Sequence, residues 1–146
     1  MRFKILVCLF TLFFIVSSAF ANDSDYISPD EVTGAKTVNA VEAKQLFEQG
    51  AYFIDVRKNS DWEAGRIPGA LHIIYDDKIS ENTTLTDESL KQEGIKHEDS
   101  IVFYCNGIHC ARSSLASSEA VKWGYSSVHY FRLGYPEWKE KGYPFE

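Results

Sequence analysis

The chain has 146 residues, of which 45% are hydrophobic and 14% aromatic, enough for one well-filled core and too few for two domains of ordinary size. Its formal charge of −6 makes it a poor general ligand for nucleic acid or an anionic membrane. An anion site, if present, has to be local, built from a few arginines and backbone N–H groups.

Residues 1–21 have the form of a secretory signal peptide: Arg2 and Lys4 open it, Ile5 to Val16 is apolar, and Ala19 and Ala21 supply the small side chains that precede cleavage. The competing reading is a membrane anchor, but the uncharged stretch is at the short end of the roughly 17–25 residues a spanning helix needs. Cleavage after Ala21 removes Cys8, takes the formal charge to −8 and leaves two cysteines, Cys105 and Cys110. The expectation is a periplasmic or secreted protein with no stable membrane association.

Residues 22–35 ("NDSDYISPDEVTGA") are polar and turn-rich, and read as a leader strand or a loose arm ahead of a domain spanning residues 36–146. From there extended and helical patterns alternate. "KTVN" is a short strand. Ala40 to Gln49 is a helix, with Asn39 as N-cap and Gly50 as terminator. "AYFIDV", "ALHII", "SIVFYC" and "SVHYF" are strands, while "DWEAG", "LTDESLKQEG", Ala111 to Trp123 and "PEWKEKG" are helices or helical turns. The nearly unbroken apolar run Ile101 to Tyr104 suits a strand buried on both faces. The expected fold is α/β, with a mostly parallel sheet covered by helices.

Ligands in such sheets bind beyond the carboxyl ends of the strands. "YCNGIHCARSS" lies at such a place, with Tyr104 closing a buried strand and a helix beginning within several residues of Cys105. A loop curled from strand end to helix start aims backbone N–H groups at one spot, and a cysteine facing them is biased toward its thiolate. Arg112 adds a fixed charge that can hold an oxyanion.

Three stretches together resemble the rhodanese family. "FIDVRKNSDWEAGRIPGALHI", Phe53 to Ile73, is similar to its Asp-x-Arg strand end and Gly-x-Ile-Pro-Gly-Ala turn. "FRLGYPEWKEKGYPFE" is similar to its closing Gly-x-x-x-Trp-x-x-x-Gly-x-Pro, and the Cys105 loop lies between the two. The resemblance implies a single rhodanese-like domain with a five-stranded, mostly parallel sheet flanked by helices on both faces. It also implies a sulfurtransferase in which Cys105 takes sulfane sulfur from a small anionic donor such as thiosulfate, as a persulfide, and passes it to a thiol or cyanide. The backbone of Asn106, Gly107, Ile108, His109, Cys110 and Ala111 would form the cradle, with Arg112 assisting. That chemistry needs no metal or organic cofactor, and His72, His97 and His129 show no ligand spacing.

The loop departs from the family pattern. Its first serine, Ser113, is eight positions after Cys105, so the loop is longer by one or two residues than in the sulfurtransferases. Arg112, seven positions after Cys105, falls one later than in the rhodanese-fold phosphatases, and no residue from Asn106 to Ala111 is a carboxylate acid.

Cys110 is open to three readings: a resolving thiol that shields or discharges Cys105, a permanent disulfide partner, or a small buried hydrophobe. With it stay open a thiol redox protein or sensor, working with a periplasmic redox partner, and a non-catalytic binding module locked by the disulfide. Asp55 is expected to anchor the loop after its strand. Arg57 and Arg66 are expected on loops near the same sheet edge, where they can steer anions, with Arg66 also pairing with Asp61 or Glu63. His109 is a proton donor or an unemployed surface histidine. Tyr135, Trp138 and Tyr143 pack the C-terminal helix.

Overall fold

A computed structural model describes residues 26–76 and 80–146. The signal-peptide reading of residues 1–21 lies outside the described residues, as do the first residues of the leader. Among the described residues no helix is long and apolar enough to cross a membrane.

The strands are β1 (Lys36–Val38), β2 (Tyr52–Asp55), β3 (Leu71–His72), β4 (Ser100–Tyr104) and β5 (Ser127–Phe131), and they form one sheet in the order β1-β5-β4-β2-β3. Every pair is parallel. The helices are α1 (Ala40–Glu48), α2 (Asn59–Glu63), α3 (Asp87–Gln92), α4 (Arg112–Lys122) and α5 (Gly134–Glu140), with a 3-10 turn at Ser80–Asn82.

Strand alternation divides the core. Ile101, Phe103 and Cys105 face one side with Ile54, Leu90 of α3, and Ala116 and Ala120 of α4. Val102 and Tyr104 face the other, with Phe53, Phe131, Ala40 and Ala43 of α1, and Trp138 of α5. Both faces of β4 are covered from Ile101 to Tyr104, and that stretch is continuously apolar. Trp138 sits edge-on to Phe47 and Phe53, with centroids 5.6 and 5.8 Å away, and its indole N–H donates to the carbonyl of Pro144 at 2.7 Å. This packing fixes α5 against the sheet.

Capping explains the best-defined helix start. The Asn39 carboxamide accepts from the N–H groups of Val41 and Glu42, while Glu42 accepts from the Asn39 N–H at 3.1 Å. That N–H and Lys36 hold the Glu42 carboxyl below its ordinary range. Other elements are shorter or displaced. β3 covers Leu71–His72 rather than Ala70 to Ile74, and the helix expected at Asp61 begins at Asn59.

The described leader residues form neither a strand nor a loose arm. They are a strap across the carboxyl edge of the sheet. Ser28 is buried and its N–H donates to the carbonyl of Ile108 at 2.7 Å. Arg132 holds the strap from below, donating to the carbonyls of Ser28 at 2.9 Å and Pro29 at 3.0 Å and pairing with Asp30. Tyr130 adds a hydroxyl donation to Pro29.

Candidate active site

The register lines up Val38, Phe131, Tyr104, Asp55 and His72 across the carboxyl edge of the sheet. Tyr104 ends the central strand, so the chain after it emerges at the middle of this edge. Cys105 is the first residue out, fully buried. Residues 106–111 curl back to α4, which begins at Arg112 with Ala111 as an N-cap that contributes no side-chain bond.

Two glycines make the curl possible. Gly107 has φ +101°, which L side chains rarely adopt, and its α-carbon faces the Leu133 carbonyl and Pro136. Gly134, at φ +57°, lies against the backbone of Cys105 so closely that a β-carbon there would collide with the Cys105 carbonyl oxygen. That carbonyl accepts from the Tyr135 N–H at 2.9 Å. The start of α5 thus holds the cysteine's backbone, which explains why a glycine opens the closing motif.

Within the loop the Cys110 N–H donates to the Gly107 carbonyl at 3.1 Å. The N–H groups of Asn106, Gly107, Ile108, His109 and Ala111 donate to no backbone carbonyl among the described residues. They are donors available to an anion. Arg112 is half-buried on the first turn of α4.

Cys105 and Cys110 are joined by a disulfide, with Cα atoms 6.4 Å apart. The reading of Cys110 as merely a small buried hydrophobe is therefore corrected. The curled loop brings two thiols five positions apart into bonding range, and both sulfurs are engaged.

Beneath the loop lies a buried ion pair. Arg57 reaches back over Asp55, with Nε donating to both carboxylate oxygens at 2.8 and 3.0 Å and Nη2 to Oδ2 at 2.5 Å. Nη2 also donates to the Gly65 carbonyl at 2.7 Å, and Nη1 to Oδ1 of Asn106 at 3.4 Å. The guanidinium lies 4.4 Å from the Tyr135 ring centroid. Burial opposes the charged form of Arg57, but the Asp55 carboxylate outweighs it and raises the guanidinium above its ordinary range. Burial and Asp55 likewise push the Tyr104 hydroxyl far up, so it stays neutral.

The placement of Arg57 corrects the expectation that it steers anions from a loop. It is 2% exposed and bound on several sides, so it holds the loop rather than meeting solutes. Asp55 accepts from the Arg57 N–H at 3.0 Å as well as from its side chain. Asp61 bonds Asn106, at 2.9 Å, and not Arg66. Arg66 pairs with Glu146 at 2.9 Å and lies over the Trp62 ring. Its expected pairing with Asp61 or Glu63 is not formed, because the C-terminal residues run back beside it and exchange backbone hydrogen bonds with it. His109 is exposed and donates from Nδ1 to the Tyr26 carbonyl at 2.8 Å.

No local pattern marks Tyr26 and Ser28, which fasten the loop from outside, or Arg132, which fastens Ser28 and Pro29 in turn. All of their loop contacts run through backbone atoms or through residues remote in the chain.

A loop of this shape, headed by a cysteine at the end of a central parallel strand, meets its family in comparison with known proteins. Residues 39–141 match the rhodanese-like domain. The chain belongs to the rhodanese-like family. It is 27% identical over 117 residues to Protein HIGH ARSENIC CONTENT 1, mitochondrial, of Arabidopsis thaliana, covering 79% of this chain and 68% of that protein. Among solved structures it resembles the human single-domain sulfurtransferase TSTD1, with 30% identity, a TM-score of 0.58, and coverage of 73% of this chain and 97% of that one. It shares its fold with the polysulfide-sulfur transferase from Wolinella succinogenes, at 20% identity and a TM-score of 0.61, covering 77% and 79% of the two chains. The five-stranded, all-parallel sheet with helices on both faces is thus that of a rhodanese-like domain.

Proposed function

We infer that this rhodanese-like chain is a sulfurtransferase that carries sulfane sulfur on Cys105. The observation that carries this reading is the position of Cys105, at the end of the central strand and the head of a loop in which, among the described residues, every N–H from Asn106 to Ala111 except that of Cys110 lacks a backbone acceptor. Similarity to a human sulfurtransferase over most of its length supports it.

In this reading the Cys105 thiolate attacks the outer sulfur of an anionic donor such as thiosulfate. A new S–S bond forms, the donor's own S–S bond breaks, and sulfite leaves with the electron pair. The loop N–H groups offset the charge of the donor and then of the persulfide without having a proton to lose. Arg112, on the first turn of α4, helps bind the donor. An acceptor thiolate or cyanide then removes the outer sulfur. The disulfide closes this cycle until two electrons open it. In an exported protein, which the first 21 residues favour, that bond persists until a dithiol partner of the same compartment reduces it.

The test is the intact mass of the reduced, desalted Cys110→Ser protein, which has no second thiol beside Cys105 to remove the sulfur, after exposure to thiosulfate, alongside Cys105→Ser. A gain of one sulfur that requires Cys105 is expected. A Cys110→Ser chain that gains none and releases no sulfite overturns the reading. The disulfide itself favours a second reading, a thiol redox protein using the same pair. It predicts reversible loss of two hydrogens with no sulfite released from thiosulfate and no sulfur adduct on Cys110→Ser.

A further inference from the structure

We propose that Cys110 also discharges the Cys105 persulfide internally, so that the protein acts in addition as a sulfide-releasing sulfane-sulfur reductase driven by a dithiol partner. This rests on the sulfurtransferase reading of Cys105 and adds a second reaction at the same site.

The product of that reaction is the observed state. The Cys110 sulfur is bonded to Cys105, across a Cα separation within the range a disulfide bridges in a settled backbone. The contacts that hold the loop do not involve either sulfur. The Cys105 carbonyl is held by Tyr135 at 2.9 Å, the Ile108 carbonyl by Ser28 at 2.7 Å, and His109 by Tyr26 at 2.8 Å, while Asn106 is fixed between Arg57 and Asp61. Opening the disulfide removes none of these bonds. Reduction therefore leaves the Cys110 thiol a permanent neighbour of Cys105, and an attack that would be bimolecular becomes intramolecular.

Access points the same way. Cys105 is fully buried, packed with Phe103 and Ala116, while Cys110 is only partly buried. A dissolved acceptor must reach past the loop to the persulfide, whereas Cys110 is already beside it.

The Cys110 thiol gives its proton to the outer sulfur of the persulfide and its thiolate attacks the Cys105 sulfur; the Cys105–Cys110 bond forms, the bond to the outer sulfur breaks, and that sulfur leaves with the electron pair as hydrosulfide. Hydrosulfide is a better leaving group than a cysteine thiolate because its conjugate acid is stronger. The same difference in exposure directs the reset. A thiolate of the dithiol partner attacks the reachable Cys110 sulfur, and Cys105 leaves as a thiolate into the loop of N–H donors. The partner's second thiolate then attacks the mixed disulfide and frees Cys110. Over one cycle thiosulfate and a dithiol become sulfite, hydrogen sulfide and the partner's disulfide, with two electrons passing from the dithiol to the sulfane sulfur.

The experiment is a single turnover without added thiol. Reduced, desalted protein is mixed anaerobically with equimolar thiosulfate, and sulfite, sulfide and intact mass are measured for the wild type and Cys110→Ser. The wild type is expected to release sulfite and sulfide in equal amounts and to finish two hydrogens lighter than it began. Cys110→Ser is expected to release sulfite alone and to finish one sulfur heavier. A wild-type chain that releases sulfite but keeps the sulfur overturns this proposal and leaves the sulfurtransferase reading standing. Sulfide release undiminished in Cys110→Ser also overturns it. A wild type that releases neither product overturns both readings. The wild-type measurement decides the matter even if the variant fails to fold.

Discussion

Replacing Arg57 by methionine is the most demanding test of how the site is held. The substitution keeps much of the side chain's volume but removes the charge and the donors that reach Asp55, Gly65 and Asn106. Asp55 is fully buried, so its carboxylate keeps the Arg57 backbone N–H and the Tyr104 hydroxyl but loses its counter-charge. Removing one partner of a buried ion pair typically costs about 3–5 kcal/mol, and the Gly65 carbonyl and the ring contact with Tyr135 lie within the same coupled unit. Against the roughly 5–15 kcal/mol that stabilises a typical domain, this is a large fraction. Asp55→Asn in the same background removes the stranded charge while keeping an acceptor for the Arg57 N–H. The double variant should therefore be more stable than Arg57→Met alone, with a coupling of about 2 kcal/mol or more. Urea denaturation of the oxidised proteins measures this, through the midpoint at unchanged slope. A loss below about 1 kcal/mol in Arg57→Met, or strictly additive effects in the double variant, would refute the claim that this pair holds the loop.

Gly134→Ala should cost about 2–4 kcal/mol, combining the penalty of a left-handed backbone with the collision against the Cys105 carbonyl. Thermal melting reads the loss, and slower sulfur loading from thiosulfate reads the displaced cysteine. Arg132→Ala frees the strap from its hydrogen bonds to Ser28 and Pro29 and its pairing with Asp30. The Cys105–Cys110 bond should then be reduced several-fold faster by dithiothreitol, as followed by mass spectrometry of alkylated samples, with little change in the midpoint of unfolding. His129 is held below its ordinary value of 6.5, first by burial, with Lys36 adding to the effect. The unfolded chain thus binds a proton there more readily than the folded one. Stability from this residue is complete above about pH 6.5 and falls as acidification proceeds toward the lower folded value. His129→Gln should flatten the loss of stability in that window, measured as urea midpoints across pH. An unchanged slope would show that His129 does not contribute.

The parts of the fold that were legible in the sequence are those determined within a few residues. Asn39 and Glu42 cap each other across one turn, and the unbroken run Ile101 to Tyr104 records a strand covered on both faces, so α1 and β4 lie where the pattern puts them. The Cys105 loop could be located for the same reason, since strand end, turn and helix start are contiguous. What was not legible depends on segments far apart in the chain. Arg57 finds its acceptors on Asp55, Gly65 and Asn106, and no local pattern distinguishes such a clamp from a solvated arginine. Arg66 has acidic neighbours in sequence but pairs with Glu146, eighty positions away. The strap is polar and turn-rich, as disordered arms are, and is ordered by Arg132 and Tyr130, which arrive about a hundred positions later.

The pairing of β1 with β5 carries a consequence for how the chain acquires its structure. Lys36 aligns with His129 and Val38 with Phe131, so among the described residues the first strand finds its only neighbour in the last. The sheet cannot be completed until nearly the whole domain has been synthesised, and the long closures between its strands place it among the slower-folding small topologies. Until then its unpaired strand edges stay open to other chains.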